Sequence, residues 1–551
     1  MKFCDMPYER IDVKAATEAL DAAAERLSAA KTIEEAEEAF SEREKIISHV
    51  QTMSTIAYIR HTVNTLDEFY EKENDFNDEN APLIEQSEQK FTEAMLGSPL
   101  RAQLEEKYGK LMFVNAELSR RCFSPEIIPD LQEENKLSSE YQKLIAAAQI
   151  DFNGEKLSLS QLGAYKENAE RDVRRAAYEA ESGFYMAHAD ELDRIFDSLV
   201  KCRTRIAKKL GFNTFTELAY CRQTRNCYDA KDVSAFRSRI VRDIVPVVCR
   251  LKDMQKKRIG IDDMKIYDDP FAFKEGNPKP DGSSEDILAA GKKMYEQMSP
   301  ETGEFINFMY DNALMDVLSA KGKAAGGYCT EILEYKSPFI FSNFNGTSGD
   351  VDVLTHEAGH AFAYYSVRDK MELCDQISPT MESCEVHSMS MEFFAWPWHE
   401  LFYGSDAVRS RFVHLESALV FLPYGTMVDE FQHIVYDSPE LTPAERNEKW
   451  LALERKYRGW QRQLHIYLYP FYYIDYCLAQ TAALEFWSLS QKDYKDAWQR
   501  YLRFVSFGGK KSFKELCAAA GIDDPFGEHA LNGVARQTHG SIQTVERGRE
   551  M

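Results

Sequence analysis

The sequence predicts a mostly α-helical fold with a small β-sheet set just ahead of one central helix. Three observations carry this reading. Apolar residues recur at three- and four-residue spacing from Asp12 to about Leu96, the mark of helices with one buried face. From Gly322 to Gly349 the rhythm changes to short apolar runs bounded by Gly and Asn, the mark of strands. Residues 355–365, THEAGHAFAYY, then return to a helical pattern and contain H-E-x-x-H.

Taken in order, Val13, Ala16, Leu20, Ala23 and Leu27 form the first apolar stripe. Thr32 followed by Glu35 is a capping box for a long second helix through Phe40, Ile46, Ile47 and Val50. Gly97-Ser98-Pro99 punctuates the run. Asn153-Gly154, between short alternating segments, signals a β-hairpin, and a charged helix is expected from Glu167 to Ala180. Residues 274–284 read as a polar Gly- and Pro-rich loop. Gly326 to Thr330 turns into one strand, and Pro338 to Phe344 forms another, ended by Asn345-Gly346. Ser348, Asp350 or Asp352 caps the helix that follows.

The chain has 551 residues and a formal net charge of −23, from 90 acidic against 67 basic residues. Nucleic acid is therefore not expected as a partner, because phosphate binding needs a basic face. Eleven cysteines are scattered without a C-x-x-C or a pairing rhythm, which fits a reducing compartment. The N-terminus lacks the apolar run of a secretory signal, and no stretch is long and apolar enough to span a membrane. A cytoplasmic protein with no obligate protein partner is expected.

His356 and His360 lie four apart on one helical face, so their imidazoles can grip one metal ion, for which Zn²⁺ is the natural fit. Glu357 stands beside the first histidine and can act as general base toward a metal-activated water. One more protein ligand is needed. The pattern that supplies it from the same helix would require Gly at 363 and His at 366; the chain has Ala363 and Ser366. The ligand must come from a later element, and residues 381–396 form a helical stretch with Glu382, Glu385 and Glu392. One glutamate can bind the metal while another orients a ligand histidine. His387 competes as a ligand but reads better as a hydrogen-bonding or substrate-facing residue, and Glu382 as a charge in a first helical turn.

HEAGH with Glu385 placed 29 residues after His356, within E-x(6)-E, resembles the thimet oligopeptidase / oligoendopeptidase F family of zinc peptidases, family M3. CEVHSMSMEFFAWPW and residues 465–487, HIYLYPFYYIDYCLAQTAALEFW, are especially similar to the bacterial oligoendopeptidase F and Pz-peptidase branch. The resemblance implies a zincin-like clamshell of two helical halves around a deep channel. Residues 1–195 would be the lid half and residues 196–551 the catalytic half. It implies one zinc per chain held by His356, His360 and Glu385, Glu357 as general base, and Glu392 as a carboxylate behind a ligand. Short peptides are the implied substrates, cut at internal bonds.

The tyrosine-rich segment is read with that resemblance. Tyr469, Tyr473 and Tyr476 share one face if the helix is unbroken, although Pro470 interrupts it. Peptide hydrolysis needs a donor for the oxyanion. Tyr476 is aligned with that role, with His465 and Tyr469 as further catalytic candidates. Tyr472, Tyr473 and His387 are candidate substrate contacts, as are Phe339 and Phe341 on a strand expected to lie at a sheet edge, where an extended peptide can pair. Two rival readings remain. An aminopeptidase of the gluzincin type needs a G-x-M-E-N-like motif to capture the substrate N-terminus; around Gly326 to Thr330 the only adjoining acid is Glu331. A non-catalytic helical scaffold predicts loss of at least one of the five metal-site residues, and all five are present.

Overall fold

The computed structural model describes residues 1–454, 464–528, 530–531 and 533. The N-terminal helices form where the apolar spacing puts them. α1 (Val13–Ala29) starts at Asp12, whose carboxylate accepts the Ala15 N–H at 3.0 Å. α2 (Ile33–Val63) starts at Thr32, whose hydroxyl accepts the Glu35 N–H, while the Glu35 carboxylate accepts from Lys31, one residue before the cap. α3 (Glu68–Gly97) ends at the expected Gly97. Ala23, Leu27, Phe40, Phe91 and Met95 fill the core between them.

β1 (Ile150–Phe152) and β2 (Glu155–Leu157) pair antiparallel around Asn153 and Gly154, both with positive φ, which is the turn that this dipeptide favours. The charged helix expected from Glu167 to Ala180 runs from Arg171 to Ala187, and a separate short helix, Leu159–Lys166, precedes it. The arginine-rich longer one anchors by Arg171 and Arg174 to the buried Asp268.

A three-stranded sheet supports the motif helix. β3 (Met315–Leu318), β4 (Tyr328–Ile332) and β5 (Ser337–Phe344) lie in the order β3-β5-β4. β5 is parallel to β3 and antiparallel to β4. The strand just ahead of the motif helix is therefore central, not an edge as expected. β3, too short and too mixed to stand out in the sequence, covers its other side. Phe339 and Phe341 are each 1% exposed; Phe339 packs on Phe3 and Phe341 stacks on Tyr328. They are core residues rather than substrate contacts, and the edge strands are β3 and β4.

α4 (Gly349–Val367) carries the H-E-x-x-H motif, and α5 (Met381–Phe394) crosses it. Ser348 occupies the cap position of α4 without a side-chain bond, while Asp350 accepts the Asn345 and Gly346 N–H groups and so holds the incoming loop. Gly359 sets the crossing: a Cβ there would lie 2.6 Å from Ser388 Cα and 2.7 Å from the His387 carbonyl oxygen. α6 (Ala407–Asp437), α7 (Tyr473–Ser490) and α8 (Tyr494–Val505) complete the packing around α5. The largest core runs unbroken from Phe341 through Phe362 and Phe394 to Leu478 and Phe504. A second core joins Tyr141 and Phe196 to Phe431 and Tyr467. Among the described residues no helix is long and apolar enough to cross a membrane.

Candidate metal centre and active site

The close α4–α5 crossing brings Glu385 against the two motif histidines. Its Oε2 lies 3.2 Å from His356 Nε2 and 3.5 Å from His360 Nε2. These three residues offer ligand atoms all within 4.8 Å of one another. The four-residue spacing on α4 stacks the imidazoles edge to face, with centroids 5.1 Å apart. Two neutral imidazole nitrogens and a carboxylate oxygen are a donor set suited to a divalent cation.

Glu385 and His356 are held from behind. Ser388, one turn along α5, donates its hydroxyl to Glu385 Oε2 at 2.9 Å, and the Tyr472 hydroxyl donates to Glu385 Oε1. His356 Nδ1 is 2.7 Å from Glu392 Oε1. The other oxygen of Glu392 is 2.8 Å from Nε2 of His414, on α6. Trp396 donates its indole N–H to His414 Nδ1 at 3.1 Å. That bond makes His414 Nδ1 an acceptor and its Nε2 a donor to Glu392. The Glu392 carboxylate in turn fixes the His356 tautomer with Nδ1 protonated and Nε2 free for a metal. Glu392 thus stands behind His356. His414 and Trp396 complete a chain that crosses three elements.

The electrostatics follow. Burial opposes charge on His356, but the Glu385 and Glu392 carboxylates hold its imidazole well above the usual range. Burial likewise works against the Glu385 carboxylate, and the two histidines overcome it, holding Glu385 well below the usual range. The site therefore favours positive charge between these donors. Glu357, 7% exposed, is pushed up by burial and partly restrained by the histidines. A carboxyl raised in this way is suited to passing a proton at neutral pH.

The tyrosine segment departs from the expected single face. The helix Leu464–Leu468 stops before Pro470, Phe471 has φ +69°, and α7 begins at Tyr473. Tyr469 therefore leaves the Tyr473–Tyr476 face; it is 54% exposed and packs on His465 and Tyr472. Tyr472, expected at most to touch substrate, instead bonds Glu385 directly. Its hydroxyl is also in hydrogen-bonding contact with Tyr476, whose ring lies 4.8 Å away. Tyr476 is near enough to Glu357 to feel its charge. The His465 ring is 5.7 Å from that of Tyr476, and burial lowers its pKa to about 4, so it is neutral at ordinary pH. Tyr473 sits beside Phe421 and Tyr424.

Two expectations are corrected. His387 is 3% exposed, its ring packed on Phe504 and its pKa pushed down to about 3 by burial; it faces the core, not a substrate. Glu382 does stand in the first turn of α5, but not as a plain charge there. It is 1% exposed, accepts the Thr380 hydroxyl at 2.5 Å, and is raised to about 8 by burial and the nearby Asp475. Sequence reasoning missed Ser388 and His414, and named Tyr472 only as a substrate contact. Ser388 stands three residues after Glu385 on one helix and was open to inference; His414 gives no local signal.

A cavity of about 930 Å³ lies between α2–α3 and β4; no residue of the metal cluster lines it, and its wall residue Glu331 is near enough to His360 to feel its charge. Tyr58, Asp78 and Glu88 of α2 and α3 line one wall, and Thr330, Glu331 and Ser378 another.

Residues 164–535 match the profile of Peptidase family M3, and residues 3–123 that of the Peptidase M3 N-terminal domain. The chain is 24% identical over 417 residues to the chromosomal oligoendopeptidase F of Lactococcus lactis subsp. cremoris, covering 67% of this chain and 63% of that one. It is 23% identical over 397 residues to oligopeptidase PepF of Bacillus subtilis (strain 168), covering 68% of this chain and 57% of the relative. The match thus spans less than two thirds of the length of these curated relatives. A solved structure of Pz peptidase A with an inhibitor is 47% identical, with a TM-score of 0.97 over 99% of this chain and 100% of that one. A Bacillus anthracis structure described as a candidate oligoendopeptidase F is also 47% identical, with a TM-score of 0.95 and 99% of both chains covered. With its mostly helical fold shared at this level and a family profile over most of its length, the chain belongs to peptidase family M3, in the oligoendopeptidase F branch.

Proposed function

We propose that the chain is a zinc-dependent endopeptidase that hydrolyses internal bonds of short oligopeptides. The observation that carries this reading is the convergence of His356, His360 and Glu385 within 4.8 Å, with Glu357 buried alongside. Tetrahedral zinc with bonds of about 2.1 Å puts its ligand atoms about 3.4 Å apart. The separations of 3.2 and 3.5 Å to Glu385 fall on either side of that value. A zinc ion held there supplies Lewis acidity, which acidifies a water and polarises a carbonyl.

The chain's own residues do the rest. Glu357 takes the proton of the attacking water and returns it to the leaving amide nitrogen. Tyr476 donates its hydroxyl to the developing oxyanion, with neutral His465 and Tyr469 flanking the same space. Tyr472 keeps the Glu385 carboxylate in its orientation. The free edge of β4 offers backbone groups to an extended peptide, which gives affinity without strong sequence demand. Residues 1–195 act as the lid half and residues 196–551 as the catalytic half. Having both on the walls of the cavity supports this, and so does a volume suited to a peptide rather than a folded protein.

Digestion of an N-acetylated peptide, followed by mass spectrometry with and without a chelator, tests the reading. Internal cleavage should stop with chelator and return with added zinc. Cleavage confined to unblocked N-termini, or indifferent to chelator, would overturn it.

A further inference from the structure

The cavity's charges are unevenly matched. Arg43 is engaged by Glu88 and Asp375, and Arg222 by Glu134. The cations on its walls are therefore already neutralised. Asp78 and Glu331 line the same space and form no ion pair among the described residues. On a chain of net charge −23, this leaves the cavity negative.

Glu331 is the better placed of the two. It lies on β4, an edge strand of the sheet, and Ser378 donates its hydroxyl to Oε1 at 2.8 Å, which fixes the carboxylate. Alternation along the strand puts it on the same face as Cys329. Cys329 is close enough to Glu357 to feel its charge, and Glu331 close enough to His360. Two residues of strand separate them, about 6.7 Å. Burial raises the Glu331 carboxyl, so an incoming cation would relieve an unfavourable state.

We propose that Glu331 is a specificity-determining residue that binds a positively charged group of the substrate, an ammonium or guanidinium, close to the scissile bond. This rests on the peptidase reading above. The cation has two sources, a Lys or Arg side chain within the peptide or its free N-terminal amine.

Three matched peptides separate them: N-acetylated with an internal Lys, N-acetylated with norleucine in its place, and the norleucine peptide with a free amine. Glu331→Gln should lower kcat/KM for at least one cationic peptide about ten- to a hundredfold, as expected for a lost charged hydrogen bond. The blocked norleucine peptide should stay within about twofold of wild type. The cationic peptide that responds identifies the source. Ser378→Ala should shift the same peptide less, and raised salt should narrow the preference in wild type. Equal losses on all three peptides would make Glu331 a support for His360 and overturn the proposal, as would no loss on either cationic peptide. If wild type cleaves none of the three, the peptidase reading fails instead.

Discussion

The metal cluster and the tyrosine segment face each other, yet they are built in opposite ways. In the cluster Glu385 and His356 have buried partners behind them, in a chain from Ser388 on Glu385 to Trp396 on His414. All of these sit on regular helices or at a helix end. The tyrosine segment is two helical pieces joined through Pro470 and a positive-φ Phe471. Rigid elements fix a ligand set to a few tenths of an ångström. A broken helix lets side chains be placed one by one, as Tyr472 and Tyr469 are. The lesson is that the two walls should fail differently when altered: the first by losing metal, the second by losing rate.

Removing a ligand tests this most severely. His360→Ala or Glu385→Ala should abolish both zinc binding and hydrolysis, read by elemental analysis and by peptide turnover. On the other wall, Tyr476→Phe should lower kcat by about 10² with zinc content and KM little changed, as expected for an oxyanion donor. Tyr472→Phe sharpens the contrast. Because its hydroxyl bonds Glu385, its loss should weaken zinc affinity rather than act on rate at saturating metal. Equal behaviour of the two variants would erase the distinction between the walls.

Behind the ligands, Glu392→Gln or His414→Phe should weaken zinc affinity by about 10- to 100-fold, measured by competition with a chelator. The smallest effect is on stability. Gly359→Ala forces a Cβ to 2.6 Å from Ser388 Cα on the facing helix. It should destabilise the fold by about 1–3 kcal/mol, seen in thermal or denaturant unfolding.

How much of this was legible follows the same divide. His356 and His360 announce themselves because helical spacing puts them on one face, and Glu357 because it completes H-E-x-x-H beside the first of them. The hairpin at Asn153-Gly154 was legible because only a few residues accept its φ values. Glu385 and Glu392 could be found as carboxylates on one later helix, although only the family resemblance chose between them. What escaped depends on contacts between distant segments. β3 gives too short a pattern to reveal that β5 is central, so Phe339 and Phe341 looked available when they are core. His387 reads as a hydrogen-bonding or substrate-facing residue and Glu382 as a first-turn charge, since nothing local records that α7 and α8 bury their helix. Tyr472 bonds Glu385 and Tyr469 leaves the Tyr473–Tyr476 face because Pro470 and Phe471 reset the register by an amount that no periodicity predicts.

The central claim is that Glu357 moves the proton while His356, His360 and Glu385 hold the metal. Purified Glu357→Gln, assayed for zinc and for hydrolysis of a blocked peptide in the same sample, tests it most directly. The account predicts about one zinc per chain, as in the wild type, with turnover lowered by at least about 10³. Wild-type turnover with zinc bound would contradict it.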